Sequence, residues 1–300
     1  MEQTKYSLIR HMKKSMVGWL FVFPSFVAFM VFMVAPVIMG FWYSLTDYTG
    51  LSRNYDFIGL QNYIKMFQDR YFIVSVKNNI VYAVWYGGLT LVISLALATL
   101  LNQLKRLKKL FRMVFFLPYI SSMVSVAVIW KIILNPSGGP LNSILMQLGM
   151  DDPPRWLSST TWSLYAVIIV SVWKTCGYYM LIFLAGMQNI SKELYESASL
   201  DGAGTWQRYR SITLPLLSPT IFLNMILITI NSFQVFDLVS VMTDGGPGIS
   251  TNVLAYRIYV EGFKSMHMGY ASSIAYFLFV VILLITLVQF IAQKNWVNYD

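Results

Sequence analysis

Any chemistry in this chain has to come from polar groups set in apolar surroundings. Lys174 is the one charged residue in the run Trp162–Met187. Asn224, Asn231 and Gln234 stand in the run Pro219–Met242, with Asp237 further along it. Charged and amide side chains in hydrocarbon are costly. They are therefore kept where they face a cavity, a cargo or a neighbouring helix. The groupings used for covalent or metal chemistry are missing. His11 and His267 lie far apart, with no acidic or thiol neighbours at ligand spacing. The single cysteine, Cys176, cannot form an intramolecular disulfide. Neither a phosphate loop nor a nucleophile elbow can be read.

Spacing sorts these candidates. On a helix Asn224 and Asn231 point within about 20° of each other, and Gln234 lies about 60° further round. These three are candidates to line a path, the alternative being hydrogen-bonded glue between helices. Asp237 turns further away and is expected to hold the outer turn around Thr243–Pro247. Counting about 1.5 Å per residue from Trp162 puts Lys174 roughly 18 Å along its run, near a bilayer midplane and too deep to snorkel. It is expected to face water, a partner chain or a cargo. A structural hydrogen bond or ion pair with a partner chain is the alternative.

The elements carrying these residues are membrane spans. Hydrophobic residues make up 57% of the 300 and charged residues 12%, against about 45–50% and about 25% in soluble chains. Six apolar runs are long enough to cross a bilayer as helices: Val17–Tyr43, Ile80–Leu101, Met113–Leu134, Trp162–Met187, Pro219–Met242 and Tyr270–Ala292. No alternating barrel pattern is present, so the expected fold is an all-α integral membrane protein. The first run is too long for a signal segment and reads as a retained anchor. The organisation is a segment 1–16, a six-span domain 17–292 with a polar loop 188–218 inside it, and a tail 293–300.

The net charge of +9 is a topology signal. Lys5, Arg10, Lys13 and Lys14 precede span one. Lys105, Arg106, Lys108, Lys109 and Arg112 follow span two, and Lys192, Arg208 and Arg210 follow span four. The positive-inside rule then makes both termini cytoplasmic. No nucleic-acid partner is needed to explain the charge. Asn135–Pro140 and Asp244–Gly248 read as turns at the outer ends of spans three and five.

The cytoplasmic segment Glu193–Pro219 is too polar to span, yet it is no flexible linker. Good helix formers run from Glu193 to Asp201, and Gly202 and Gly204 permit a sharp turn. A second short amphipathic helix is expected over Trp206–Ile212, broken by Pro215 before span five. Such an element suits docking into a groove of another protein.

This segment resembles the "EAA" signature of ABC importer permeases. It reads Glu196-Ser197-Ala198, then Gly202, then nine residues, then Ile212-Thr213-Leu214-Pro215. Ser197 replaces the first alanine of the pattern. Other segments are similar to the sugar permeases of the maltose and glycerol-phosphate type. They include Phe57–Tyr63, Leu117-Pro118, Phe236-Asp237, Met242–Pro247 with Ser250-Thr251, and Gly269–Ala271. The ending Trp296–Asp300 resembles the first permease of such pairs. The maltose permease carries further spans and an external domain that have no counterpart here.

The resemblance implies a transport subunit that performs no catalysis. Its partners would be a second permease, two cytoplasmic ATPases that hold ATP and Mg, an external binding protein, a sugar and membrane lipid. Glu196, Ser197, Ala198, Asp201, Gly202 and Ala203 would form the coupling element in the ATPase cleft. Lys174, Asn224, Asn231, Gln234, Trp173 and Tyr178 would line the substrate path, where aromatic rings can stack on the apolar faces of sugars. Tyr82, Trp85, Tyr86 and Tyr179 are available for the same purpose. Two alternatives stand beside this reading. One is an importer of another solute, such as a polyamine, an amino acid or a phosphate ester. The other is a secondary transporter or channel working alone.

Overall fold

The computed structural model describes residues 18–52, 54–104 and 106–298. Segment 1–16 with its positive charges and His11, the first span residue Val17, Arg53, Lys105 and the last two residues lie outside the described residues. Among the described residues the regular structure is helical, apart from one isolated bridge between Thr46 and Phe57. The first span is α1, Gly18–Ser44. Next come α2, Gln61–Gln68, and then the long α3, Arg70–Gln103. The pair α4, Lys108–Ile120, and α5, Met123–Ile133, precedes the short helix α6, Pro140–Gln147. Then follow α7, Ser163–Gln188, and the short α8, Lys192–Leu200. Helix α9 comprises Thr205–Arg208, a π turn at Tyr209–Thr213 and Leu214–Phe233. Last come α10, Asp237–Met242, α11, Leu254–Tyr259, and α12, Met268–Ala292.

Five helices are long and apolar enough to cross, and a sixth span exists if the bent pair α4–α5 counts as one. The run Met113–Leu134, expected to form the third span, is not one helix, because α4 and α5 meet at 95°. Pro118 inside α4 has no N–H to give to the preceding turn, and Ser121 after it is extended. The fifth span differs at both ends. Pro215 does not separate a second short helix, since the π turn at Tyr209–Thr213 lets α9 run on through it. At the other end α9 stops at Phe233, and the chain is irregular until α10.

Polarity is arranged inside out, as a lipid solvent requires. Along α3, Ser75, Asn79, Tyr82, Tyr86, Thr90 and Ser94 recur every three or four residues and are all buried. Ile73, Ile80, Val84 and Val92 on the other faces are exposed. Helix α7 is the most enclosed span and α1 the least, with none of its apolar window buried. Helix α1 touches the remainder chiefly through α12, where the Tyr276 hydroxyl donates to the Val37 carbonyl. Small residues let α7 approach its neighbours. A Cβ on Gly177 would lie 1.8 Å from the Phe115 carbonyl oxygen, so only glycine fits against α4.

Hydrogen bonds lock the end of the bundle at which α3 begins and α9 stops. The Asn79 amide donates to the Ser232 carbonyl at 3.3 Å and accepts from the Leu254 N–H at 2.8 Å. The turn after α10 is held by Thr243 and Thr251, 2.8 Å apart, and by Thr251 donating to the Gly246 carbonyl. Arg257 pairs with Asp69 at 3.1 Å and with Glu261 at 2.5 Å. Burial opposes ionisation of Asp69. The Tyr270 hydroxyl, the Tyr71 N–H and the Arg257 guanidinium outweigh it, and they hold the carboxyl below its ordinary value.

Candidate functional site

A cavity of about 290 Å³ opens where the fifth span is interrupted. Helix α3 contributes Tyr82 and Tyr86, α7 contributes Ser171, Thr175 and Tyr179, and the α4–α5 bend contributes Tyr119 and Met123. The rest of the wall is Asn231 and the interruption itself, Gln234–Leu238. The rings of Tyr82 and Tyr86 stack at 5.2 Å, and the Tyr86 hydroxyl lies 3.1 Å from that of Thr175. The Asn231 amide donates to the Tyr179 hydroxyl at 2.9 Å. The wall thus offers aromatic faces, hydroxyls and amides, the groups that suit a polyol with apolar C–H faces.

Asn231 and Gln234 face this cavity. Asp237 faces it as well, which corrects the expectation that it holds the outer turn. The wheel angle fails because the helix is interrupted at residues 234–236, which brings Asp237 back to the side of Asn231. Asn224 does not line the cavity. It is fully buried, with its amide directed at the Tyr179 carbonyl at 3.3 Å, and it acts as interhelical glue. Trp173 packs edge-on against Trp130. Tyr178 stands behind the wall, stacked on Tyr119 at 4.4 Å. Tyr82, Tyr86 and Tyr179 line the cavity, while Trp85 does not. The missed polar members are Tyr119, Ser171 and Thr175. Their signal was weak, since hydroxyls in membrane helices commonly bond the preceding turn, as Ser171 and Thr175 also do.

Lys174 requires a larger correction. It is buried at 3% exposure and does not reach the cavity. Its ammonium donates to the carbonyls of Pro118, Tyr119 and Ser121 at 2.9, 3.2 and 2.7 Å. Those carbonyls lie at the C-terminal end of α4, where no further helical N–H can reach them. The ammonium provides three donors for a helix end that carries partial negative charge. Its partners lie within the same chain.

The second candidate element is the polar loop. The Ser191 hydroxyl caps α8 by accepting from the Glu193 N–H at 3.2 Å. At the other end the N–H of Asp201 bonds the Ser197 carbonyl, and that of Ala203 bonds the Ala198 carbonyl. Gly202 sits between them at φ +80°, a conformation that favours glycine. Tyr195 and Thr213 join α8 to α9 at 2.9 Å, and Arg208 donates to Ser199 at 2.7 Å. The loop is therefore a braced wedge. Glu196, Ser197, Asp201 and Gly202 are exposed on it, and Ala198 and Ala203 are half-buried. Leu200 and Trp206 are also exposed, at 90% and 70%. Two large apolar side chains on a polar wedge mark a surface suited to a partner.

Residues 88–296 match the family described as the binding-protein-dependent transport system inner membrane component. A probable ABC transporter permease of Pyrococcus horikoshii is 35% identical over 92% of this chain and 94% of its own. The lactose transport system permease LacF of Rhizobium radiobacter is 33% identical over 93% and 94%. The trehalose/maltose permease MalF of Thermococcus litoralis is 33% identical over 92% and 93%. Among solved structures, a bacterial ABC transporter that imports the acidic polysaccharide alginate superposes with a TM-score of 0.84. It is 26% identical over 97% of this chain and all of that one.

Proposed function

Since the chain belongs to the family of binding-protein-dependent transport system inner membrane components, we propose that it builds half of the permeation path of an ATP-driven saccharide importer. The observation that carries this reading is the cavity at the interrupted fifth span, walled by tyrosines, hydroxyls and amides. Discontinuous spans are a recurrent way to place polar backbone and side chains at membrane depth. The lactose and trehalose/maltose permeases among the relatives support a saccharide as cargo.

In this reading an external binding protein delivers the sugar to the outer mouth, which a second permease completes. The wedge at 188–218 enters a cleft of a cytoplasmic ATPase, with Glu196, Ser197, Ala198, Asp201, Gly202 and Ala203 in its body. Leu200 and Trp206 add apolar contact area. Two ATPases hold ATP and Mg, and both termini of this chain face the same side as they do. When the ATPases close, the brace through Tyr195–Thr213 and Arg208–Ser199 transmits their displacement directly to α9. Because α9 is continuous from Thr205 to Phe233, the motion reaches the cavity wall at Asn231. Rigid-body rocking then exposes the cavity alternately to the two sides. Uptake of a panel of labelled oligosaccharides by a strain lacking this gene tests the reading. One neutral or acidic saccharide should lose energy-dependent uptake and regain it on complementation. Loss of polyamine or amino-acid uptake with every saccharide unaffected contradicts it.

A further inference from the structure

Helix α4 carries two features that the transport path does not use, a basic head and an apolar stripe. Arg106, Lys108, Lys109 and Arg112 fall within seven residues, and none of them pairs with a carboxylate among the described residues. The Lys108 ammonium has only the neutral amide oxygen of Asn102, at 3.3 Å. Arg112 stands one turn further on, half-buried, and its Nε is buried without a hydrogen-bond partner. Like charges at this spacing repel. Lys108 and Lys109 also open the helix, where the dipole favours acidic side chains, and its first turn holds none. The cluster lacks an anion. Leading away from it, Leu110, Met113, Val114 and Leu117 recur at i, i+3, i+4 and i+7, and all four are exposed. We propose that an anionic phospholipid docks along α4, with its phosphate between Lys108 and Arg112 and its acyl chains on the stripe. The leaflet is the one on the side of the wedge, since Asn102 lines a hollow there with Tyr195.

Length and charge together select this occupant. Helix α4 has 13 residues, about 20 Å at 1.5 Å per residue. That is close to one leaflet of a bilayer about 40–45 Å thick with its headgroups. At its far end the chain turns by 95° into α5, so the stripe ends about one leaflet deep. A spanning helix of a partner chain would lose its track there, whereas a phospholipid needs no more. The positive-inside rule accounts for the side on which these charges lie. It does not account for an apolar track that starts from them. A zwitterionic head would bring a cation that finds no carboxylate at the cluster, while a net negative head completes it. Helix α4 also brings Tyr119 to the cavity wall and its last carbonyls to Lys174. A lipid seated on it therefore steadies one side of the path, whatever the cargo.

The test places the complex of this chain with its partner permease and ATPases in phosphatidylcholine vesicles. These are doped, in equal proportion, with phosphatidylglycerol or phosphatidylcholine bearing a photoactivatable group on one acyl chain. After illumination, mass spectrometry counts the lipid attached to residues 110–117 of this chain. One basic residue near an anionic surface is worth about fivefold in affinity, so phosphatidylglycerol should label the stretch at least about tenfold more than phosphatidylcholine. Lys108→Gln and Arg112→Gln should each narrow that ratio by about fivefold. Lys108→Arg, which keeps the charge, should preserve it. Arg155→Gln, which removes an exposed cation from another loop, should leave it unchanged. Equal labelling by the two lipids, or a ratio unmoved by Lys108→Gln and Arg112→Gln, overturns the inference. An equal loss with Arg155→Gln also overturns it, because the charges then attract lipid without forming a site. Absence of label from both lipids overturns it as well, because a protein partner then covers the stripe. None of these results bears on the saccharide reading, which the uptake experiment tests separately.

Discussion

Replacing Lys174 with methionine leaves the carbonyls of Pro118, Tyr119 and Ser121 without their donor in a buried position. Hydrogen bonds to a charged group contribute about 1.5–3 kcal/mol each, so the bend between α4 and α5 should loosen. The expected outcome is a lower melting temperature for the solubilised complex and uptake reduced equally for every sugar. A selective loss with one sugar and an unchanged melting temperature would return Lys174 to the cargo. Asp69 makes a pH prediction. Its folded pKa is depressed, so its contribution is present above the unfolded value of about 3.9 and is lost as pH falls through the folded one. Thermal stability should decline below about pH 4, and Asp69→Asn should flatten that part of the profile. The anomaly of Lys174 was legible in the sequence, because a lone lysine in an apolar run demands a partner. The partner was not legible. Three backbone carbonyls freed by a bend fifty-odd residues away leave no trace in side-chain spacing.

Among the elements, the wedge offers the sharpest prediction. Gly202 sits at φ +80°, whereas proline is fixed near −65°. Gly202→Pro should reorient α8 relative to α9 without touching any span. Glu196→Lys should reverse a charge on the exposed face. Both variants should reach the membrane at wild-type levels and lose substrate-stimulated ATP hydrolysis. Normal transport by both would remove the wedge from the coupling step. Its helix and glycine turn could be read from sequence because both are local. The continuity of α9 through Pro215 could not, since a π turn absorbs the missing N–H just where a break is expected. The same limit explains Asp237. A helical wheel extrapolates one geometry, and the interruption after Phe233 replaces it, so the cavity gains a carboxylate that spacing alone directed elsewhere. Six apolar runs were visible, but the 95° bend within the third was not, because apolarity reports burial in lipid and is silent on direction.

For the whole molecule, the polar wedge, the end of α3 and the start of α9 gather at one end, around Gln103, Tyr195 and Thr205. The Asp69–Arg257–Tyr270 lock lies in the segments before α3 and before and within the start of α12. The tail returns to the wedge end, where the Asn298 N–H donates to Ser218. Cysteines at Gln103 and Asn298 should therefore resist an impermeant thiol reagent in intact cells, and one at Asn54 should react. The reverse pattern would place the wedge outside the cell and detach it from any cytoplasmic ATPase. The central claim is that ATP hydrolysis by partner subunits drives saccharide through this chain, and accumulation in proteoliposomes tests it most directly. The reconstituted complex, given the external binding protein and a labelled saccharide on one side and ATP on the other, should concentrate the sugar above its external level. It should fail to do so with a non-hydrolysable ATP analogue. Accumulation that persists without hydrolysis, driven by an ion gradient alone, would contradict the account.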